Sequence, residues 1–191
     1  QLVLDDQVIQ EEVDDIIFGN YGISGPAILD ISRKANELVL AGKQPYVKLI
    51  LVTQLSRSEI EDRFAKAKER PIDYALIGLI NKRYISALIK EAKILKQNTP
   101  IENLSQTELK NVIDLLFDWR FPIKGSKSFQ DAQATAGGVD VSEIDDKSME
   151  SLKVKGLYFT GEVMDIDGRC GGFNLQWAWA SGYLAGYHAA T

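Results

Sequence analysis

The residues best equipped for chemistry lie near the carboxyl end, in GEVMDIDGRCGGFNLQWAWASG, Gly161 to Gly182. Glu162 and Asp165 supply carboxylates, which accept hydrogen bonds from sugar or ribityl hydroxyls but repel phosphate. Gly171 and Gly172 allow a ligand to approach the backbone closely. A helix is expected from about Asn174, and the unpaired N–H groups of its first turn carry roughly half a positive charge in aggregate. A ligand with both hydroxyl and anionic parts would suit this set. The spacing alone fits equally well a strand, an acidic turn and a terminal helix that close the fold, with Asp165 and Asp167 solvated or capping.

Other reactive side chains are few. Cys170 is the only cysteine, so the chain can form neither an internal disulfide nor a cysteine-based zinc cluster. A lone cysteine is more often a small inert side chain than a reactive one. His188, the only histidine, falls near the chain end, where a surface role is expected, and no metal site is expected. Trp177 and Trp179 are two apart, which directs them to different faces of a helix, so at most one is expected to pack on the sheet while the other meets another domain. No catalytic acid or base stands out.

The elements that must position these residues can be read from periodicity. Residues 1–18 and YVKLILVT (Tyr46 to Thr53) have the short β-branched and aromatic runs of strands. Between them, GNYGISGPAILDISR spaces Gly19, Gly22 and Gly25 as G-x-x-G-x-x-G rather than the dinucleotide G-x-G-x-x-G. Pro26 then fixes φ, so a tight loop leads into a short helix or strand. From Ser56 the period changes. Ser56 and Glu59 form a capping box ahead of Ile60 and Phe64, in a helix expected to run to Pro71. Ile85, Leu88, Ile89 and Ala92 share one face, and Ser105 and Glu108 repeat the box ahead of Leu109, Val112, Ile113 and Leu116. Phe121 to Val141 returns to extended character. LKVKGLYFTGEV reads as a strand, and NLQWAWASGYLAGYHAA as a closing helix whose Ala178, Ser181, Gly182, Ala185 and Gly186 would let it approach a sheet closely.

At 191 residues and 45% hydrophobic, the chain can bury a core as one large or two small units. A net charge of −5 and a pI near 5.0 oppose a broad nucleic-acid surface, leaving room for local basic patches. With no secretory signal and no apolar run near the roughly 20 residues a membrane span needs, a cytoplasmic protein with neither nucleic-acid nor membrane partners is expected. The opening at Gln1, already within a strand-like pattern, reads as the start of a piece of something larger.

GLYFTGEVMDIDGRCGGFNLQWAWASGYLAG resembles the carboxyl-terminal flavin-binding signature of the BaiN/YhiN-like family of FAD-dependent oxidoreductases. FGNYGISGPAILDIS and TAGGV resemble two further motifs of that family, in the right order. The resemblance implies an amino-terminal Rossmann segment that binds the ADP half of FAD and is missing here. It also implies an inserted β-barrel-like domain with helices, and a carboxyl-terminal strand and helix that complete the flavin site. By the same resemblance Gly161 and Glu162 approach the pyrophosphate–ribityl region, with Asp165 accepting from a hydroxyl. Gly171, Gly172, Phe173, Asn174 and Leu175 lie near the isoalloxazine, and Thr135, Gly137 and Gly138 line another side of the ring. Many relatives carry Thr-His where this chain has Gly19-Asn20, so any proton-transfer role of that histidine is absent here.

The expected fold is α+β: a β-barrel-like insert over 1–55 and 119–146, a helical subdomain over 56–118, and over 147–191 the carboxyl-terminal strand and helix of an α/β FAD-binding domain. The expected function is that of a fragment of a flavoprotein oxidoreductase, inactive and FAD-free alone. The whole protein would pass hydride from NAD(P)H to a small-molecule substrate, steroid-like in one variant of this reading. Exposed apolar surface should mark where the missing segment docks and could drive self-association. The rival from another class is a non-catalytic ligand-binding or protein-interaction module.

Overall fold

The computed structural model describes all 191 residues. Six strands and six α-helices follow along the chain: β1 (Leu2–Leu4), β2 (Gln7–Gln10), β3 (Ile17–Gly19), β4 (Gly22–Ser24), α1 (Pro26–Leu40), β5 (Tyr46–Leu49), α2 (Arg57–Lys66), α3 (Ile72–Leu76), α4 (Lys82–Glu91), α5 (Gln106–Phe117), β6 (Trp119–Pro122) and α6 (Phe173–Ala190). The fold is α+β, and the chain divides into two compact units, residues 1–9 with 45–123 and residues 10–44 with 124–191.

In the first unit the sheet order is β2-β1-β5-β6, antiparallel where β5 meets β1 and β6, with β2 and β6 at its edges. Asp5 and Asp6 join β1 to β2 with φ of 50° and 59°, the positive angles that a tight hairpin turn requires. The helices start where the sequence places them. Glu59 N–H donates to Ser56 Oγ at 3.3 Å while Ser56 N–H donates to the Glu59 carboxylate at 2.7 Å, and Ser105 and Glu108 do the same at 3.2 and 2.8 Å. Behind these caps Ile60, Phe64, Leu88, Val112 and Leu116 are wholly excluded from solvent. Helix α2 ends at Lys66 rather than running to Pro71. The Ala67 N–H turns back to Arg63 and Phe64, and the chain then enters a bridge between Pro71 and Pro100, since a residue before proline avoids the helical region.

The second unit holds the β3–β4 hairpin, α1, a long irregular stretch and α6. Pro26 occupies the first turn of α1, and Gly25 before it has φ of 102°. A Cβ on Gly25 would stand 2.4 Å from the Asp15 carbonyl oxygen, so the close pass of residues 15 and 16 requires glycine. Ala27, Ile31 and Ala35, four apart, form the buried face of α1. A second small core gathers Ile144, Met149, Met164 and Ala185, with Trp177, Tyr158 and Leu184 packed against it.

One expected element is missing. Leu152 to Val163 forms no strand: it holds turns and a 3-10 turn at Gly161–Val163. Its neighbours offer it only single bridges, Glu150 with Tyr158 and Val139 with Met164, and a strand needs a continuous partner. No helix is long and apolar enough to cross a membrane.

Candidate functional site

Two glycine-rich segments of the second unit meet beside α6. Val139 N–H donates to the Val163 carbonyl at 2.8 Å, and Asp165 N–H donates back to the Val139 carbonyl at 3.0 Å, which lays TAGGV alongside GEVMD. Gly138 lies so close that a Cβ there would be 2.5 Å from Val163 O and 2.8 Å from the Met164 carbonyl carbon. Only glycine permits this contact. The family resemblance implies Gly138 as a ligand contact, and the structure gives it a structural task that any side chain would break.

The carboxylates hold this junction. Glu162 Oε1 accepts from Thr135 N–H at 2.5 Å, and Asp165 Oδ1 accepts from Gly137 N–H at 3.0 Å. One oxygen of each carboxylate is thus used within the protein, because the backbone of residues 135–138 has no ladder partner for those donors. Both residues stay exposed, with a second oxygen each.

Helix α6 supports the turn from behind. Gly161, at φ 67°, donates its N–H to Ser181 Oγ at 2.9 Å, and the wholly buried Ser181 hydroxyl donates to the Trp177 carbonyl at 2.7 Å. The missing Cβ of Gly161 would lie 3.5 Å from Ala178 Cβ. Ala178 and Ser181 therefore meet the Gly161 turn rather than the sheet that the small-residue pattern predicts, whereas Gly182 and Gly186 face open space.

The loop from Asp165 to Gly172 is tied at several points. Asn174 Oδ1 accepts from Gly168 N–H at 2.7 Å, and its Nδ2 donates to Gly168 O at 3.2 Å, so this amide braces the loop. Helix α1 contributes Asp30, whose Oδ1 accepts from Cys170 N–H at 2.7 Å, and Arg33, which forms an ion pair with Asp167. The Asp167 carboxylate raises the Arg33 pKa above its ordinary value, against a smaller opposing effect of desolvation. Arg169 reaches Glu12 at 3.4 Å. Sequence reasoning did not single out Asp30, Arg33 or Glu12 as loop anchors, because their partners lie more than a hundred residues away. Ser181 had a local signal: a serine inside an apolar helix usually bonds backbone.

At the loop's end Gly172 takes the left-handed conformation, φ 91° and ψ 0°, and no side chain caps α6. The first-turn N–H groups, at Phe173, Asn174 and Leu175, have no intrahelical acceptor. Phe173 and Leu175 are exposed, as is the Cys170 thiol. Trp177 packs on the small core while Trp179 is 72% exposed, the division their spacing predicts. His188 sits near the end of α6 with its ring edge-on to Tyr187.

An α+β chain with paired glycine loops beside a long helix that starts without a side-chain cap has the outline of a nucleotide-cofactor domain. The chain belongs to the HI0933-like family: the model described as HI0933-like protein Rossmann domain matches residues 11–188. It is 34% identical over 189 residues to the 3-dehydro-bile acid delta(4,6)-reductase of Clostridium scindens, a match covering 96% of this chain and 46% of that protein. It is 35% identical over 172 residues to the ribosomal RNA dihydrouridine synthase of Haemophilus influenzae, covering 88% and 40%. The Escherichia coli ribosomal RNA dihydrouridine synthase is 33% identical over 172 residues, covering 89% and 41%. The chain thus spans less than half the length of these curated relatives.

Proposed function

We propose that this chain is part of an FAD-dependent oxidoreductase and supplies the ribityl and ring side of the cofactor site. A Rossmann segment elsewhere in the whole protein would hold the ADP half. The observation that carries this reading is the meeting of two glycine loops beside α6, a helix whose amino end has no side-chain cap. The residues fit such a cofactor in three respects. Gly137 and Gly172 have open space where a Cβ would stand. The first turn of α6 has no side-chain cap. Glu162 and Asp165 each retain a second carboxylate oxygen.

Bound FAD would supply the hydride chemistry, accepting from NAD(P)H and donating to an organic substrate. The chain's own part is to bind and to polarise. Gly161 and Glu162 would contact the pyrophosphate–ribityl region, and Asp165 would accept from a ribityl hydroxyl. Gly171, Gly172, Phe173, Asn174 and Leu175 would lie near the ring, with Thr135, Gly137 and Gly138 on another side. Because its amide is engaged by Gly168, Asn174 would act through its backbone N–H. The amino end of α6 would stabilise negative charge at the N1–C2=O edge without a titrating side chain. Asn20 accepts and donates hydrogen bonds but does not titrate near neutral pH. The four-stranded sheet would belong to a β-barrel-like insert, and the exposed Leu175, Trp179, Tyr183 and Tyr187 of α6 would be covered by the remainder of the protein, or drive self-association without it. A free thiol at Cys170 suits the reducing cytoplasm. The relatives' names offer two substrate types, a steroid-like small molecule and uridine in RNA; both names describe reductions.

The test is an FAD titration of the full-length protein, followed by flavin absorbance and fluorescence. Saturable binding that is lost in a folded Gly172→Trp variant supports the reading. A folded full-length protein that takes up no FAD sinks it. One observation favours a second reading, a non-catalytic interaction module: Glu162 and Asp165 are already hydrogen-bonded within the protein, as structural carboxylates would be. That module predicts no flavin under any reconstitution.

A further inference from the structure

The second unit holds a cavity of about 200 Å³ that the cofactor site does not use. Ile144, Met149, Met164, Ile166 and Trp177 wall it, and the exposed Val141 and Asp146 stand at its mouth. Asp146 is the one charged residue of this lining. A single residue separates the cavity from the glycine junction: Met164 and Ile166 line the cavity, while Asp165 between them gives its carboxylate to Gly137 N–H at 3.0 Å. Both methionines of the chain lie here, and their unbranched thioether side chains adapt to a guest of irregular shape.

The indole Nε1 of Trp177 is buried and donates to nothing. A buried donor without an acceptor costs free energy, and native proteins leave few of them. Water is a poor remedy, because an ordered buried water needs about two to four polar partners, whereas the side chains deep in this cavity offer the indole N–H alone. Backbone strain marks the same place. Of the four non-glycine residues with positive φ, Asp5 and Asp6 turn a hairpin and Lys93 follows the end of α4; only Met149, at 64°, is buried. Such strain gathers at ligand sites, where the surrounding structure holds it. Here a tight turn does so: Asp145 Oδ1 accepts from the N–H groups of Lys147 and Ser148 at 3.1 and 2.8 Å, and Met149 N–H donates to Asp145 O at 2.8 Å. The wall is therefore set before any guest arrives.

We infer that this cavity is a second small-molecule site beside the cofactor site, taking an uncharged single-ring compound with an acceptor oxygen for the Trp177 N–H and a hydroxyl for Asp146. A cavity of about 150 Å³ holds one benzene ring, so this one admits a ring with short polar substituents. Apolar walls with a few polar groups are the common make-up of such sites. Carboxylates and phosphates are excluded, since no cation lines the cavity and Asp146 repels them. The inference goes beyond the oxidoreductase reading and does not rest on it.

The test titrates isotope-labelled full-length protein with 4-hydroxyacetophenone and follows the indole N–H resonances, that of Trp177 being assigned by its loss in Trp177→Phe. The Trp177 signal should move downfield and saturate, while that of Trp179 stays. Ethylbenzene, which has the ring without the oxygens, should bind at least about fivefold more weakly, and 4-hydroxybenzoate should not bind. Val141→Trp, which fills the mouth, should abolish the shift and keep flavin absorbance; Asp146→Ala should weaken binding about fivefold. The comparison of the three compounds needs no variant, so it decides the matter even if Val141→Trp fails to fold. Absence of a shift, equal binding of ethylbenzene, or a shift that persists in folded Val141→Trp overturns the inference. So does a Trp177 signal already downfield and unresponsive, which would mean that the rest of the protein fills the cavity, and so does release of flavin by the probe. Flavin uptake without probe binding sinks this inference alone, and probe binding without flavin sinks the oxidoreductase reading alone.

Discussion

The helices of the first unit and the glycine loops of the second are held by different forces. Around α2, α4 and α5, side chains such as Phe64 and Leu116 are wholly buried, and each of these three helices begins at a side-chain cap. Around residues 135–172 few side chains are buried, and the backbone is fixed by Glu162, Asp165, Ser181, Asn174 and Asp30. Apolar burial is non-directional and makes a region stable; hydrogen bonds are directional and make it specific in shape. The difference puts the candidate site where individual polar groups, rather than a core, decide geometry.

The comparison can be broken most forcefully at Phe64. Replacing this fully buried ring by alanine should cost about 3–5 kcal/mol in chemical denaturation, and in the folded variant leave FAD affinity of the full-length protein unchanged. A comparable loss of FAD affinity would show that the two regions are not separable. Gly138→Ala reverses the pattern. Its Cβ collides with backbone, so roughly 1–3 kcal/mol of stability and at least tenfold in FAD affinity should be lost together. Ser181→Ala leaves the buried Gly161 N–H without its acceptor, for roughly 1–3 kcal/mol, and amide exchange at Gly161 should accelerate; unchanged exchange would remove Ser181 from the support of the turn.

Smaller effects sharpen the first unit. Ser105→Ala should cost about 1 kcal/mol by loss of the α5 cap, read from the denaturation midpoint. The pH dependence follows from the same caps. Hydrogen bonds from Ser56 and Ser105 lower the pKa of Glu59 and of Glu108 below the ordinary 4.5. Their contribution is complete above that value and is lost as pH falls through the depressed folded-state pKa. A Glu59→Gln and Glu108→Gln double variant should show a shallower decline of stability below about pH 4.5 than the parent. Equal slopes would mean that other carboxylates govern acid unfolding.

Much of this was legible along the chain. Both capping boxes, the faces of α4 and α5 and the opposite fates of Trp177 and Trp179 depend on residues within a few positions of one another; after Pro26 the chain could read as a short helix or strand, and the structure makes it a 15-residue helix. Helix α2 stopped short of the expected proline because a bridge between distant prolines claims the intervening residues. The Leu152–Val163 stretch looks like a strand by composition, yet strand formation depends on a partner that composition does not contain.

The sequence by itself determined where helices begin, which of their faces are apolar and which segments carry glycines and carboxylates, since caps, period and backbone permissiveness are local properties. Only the tertiary structure decided that Glu162 and Asp165 each give an oxygen to TAGGV, that Ser181 receives Gly161, and that Asp30 and Arg33 anchor the loop before α6. Those partners lie from 20 to 140 residues apart, and a hydrogen bond across such a separation exists only once packing has brought donor and acceptor within 3 Å or so of one another.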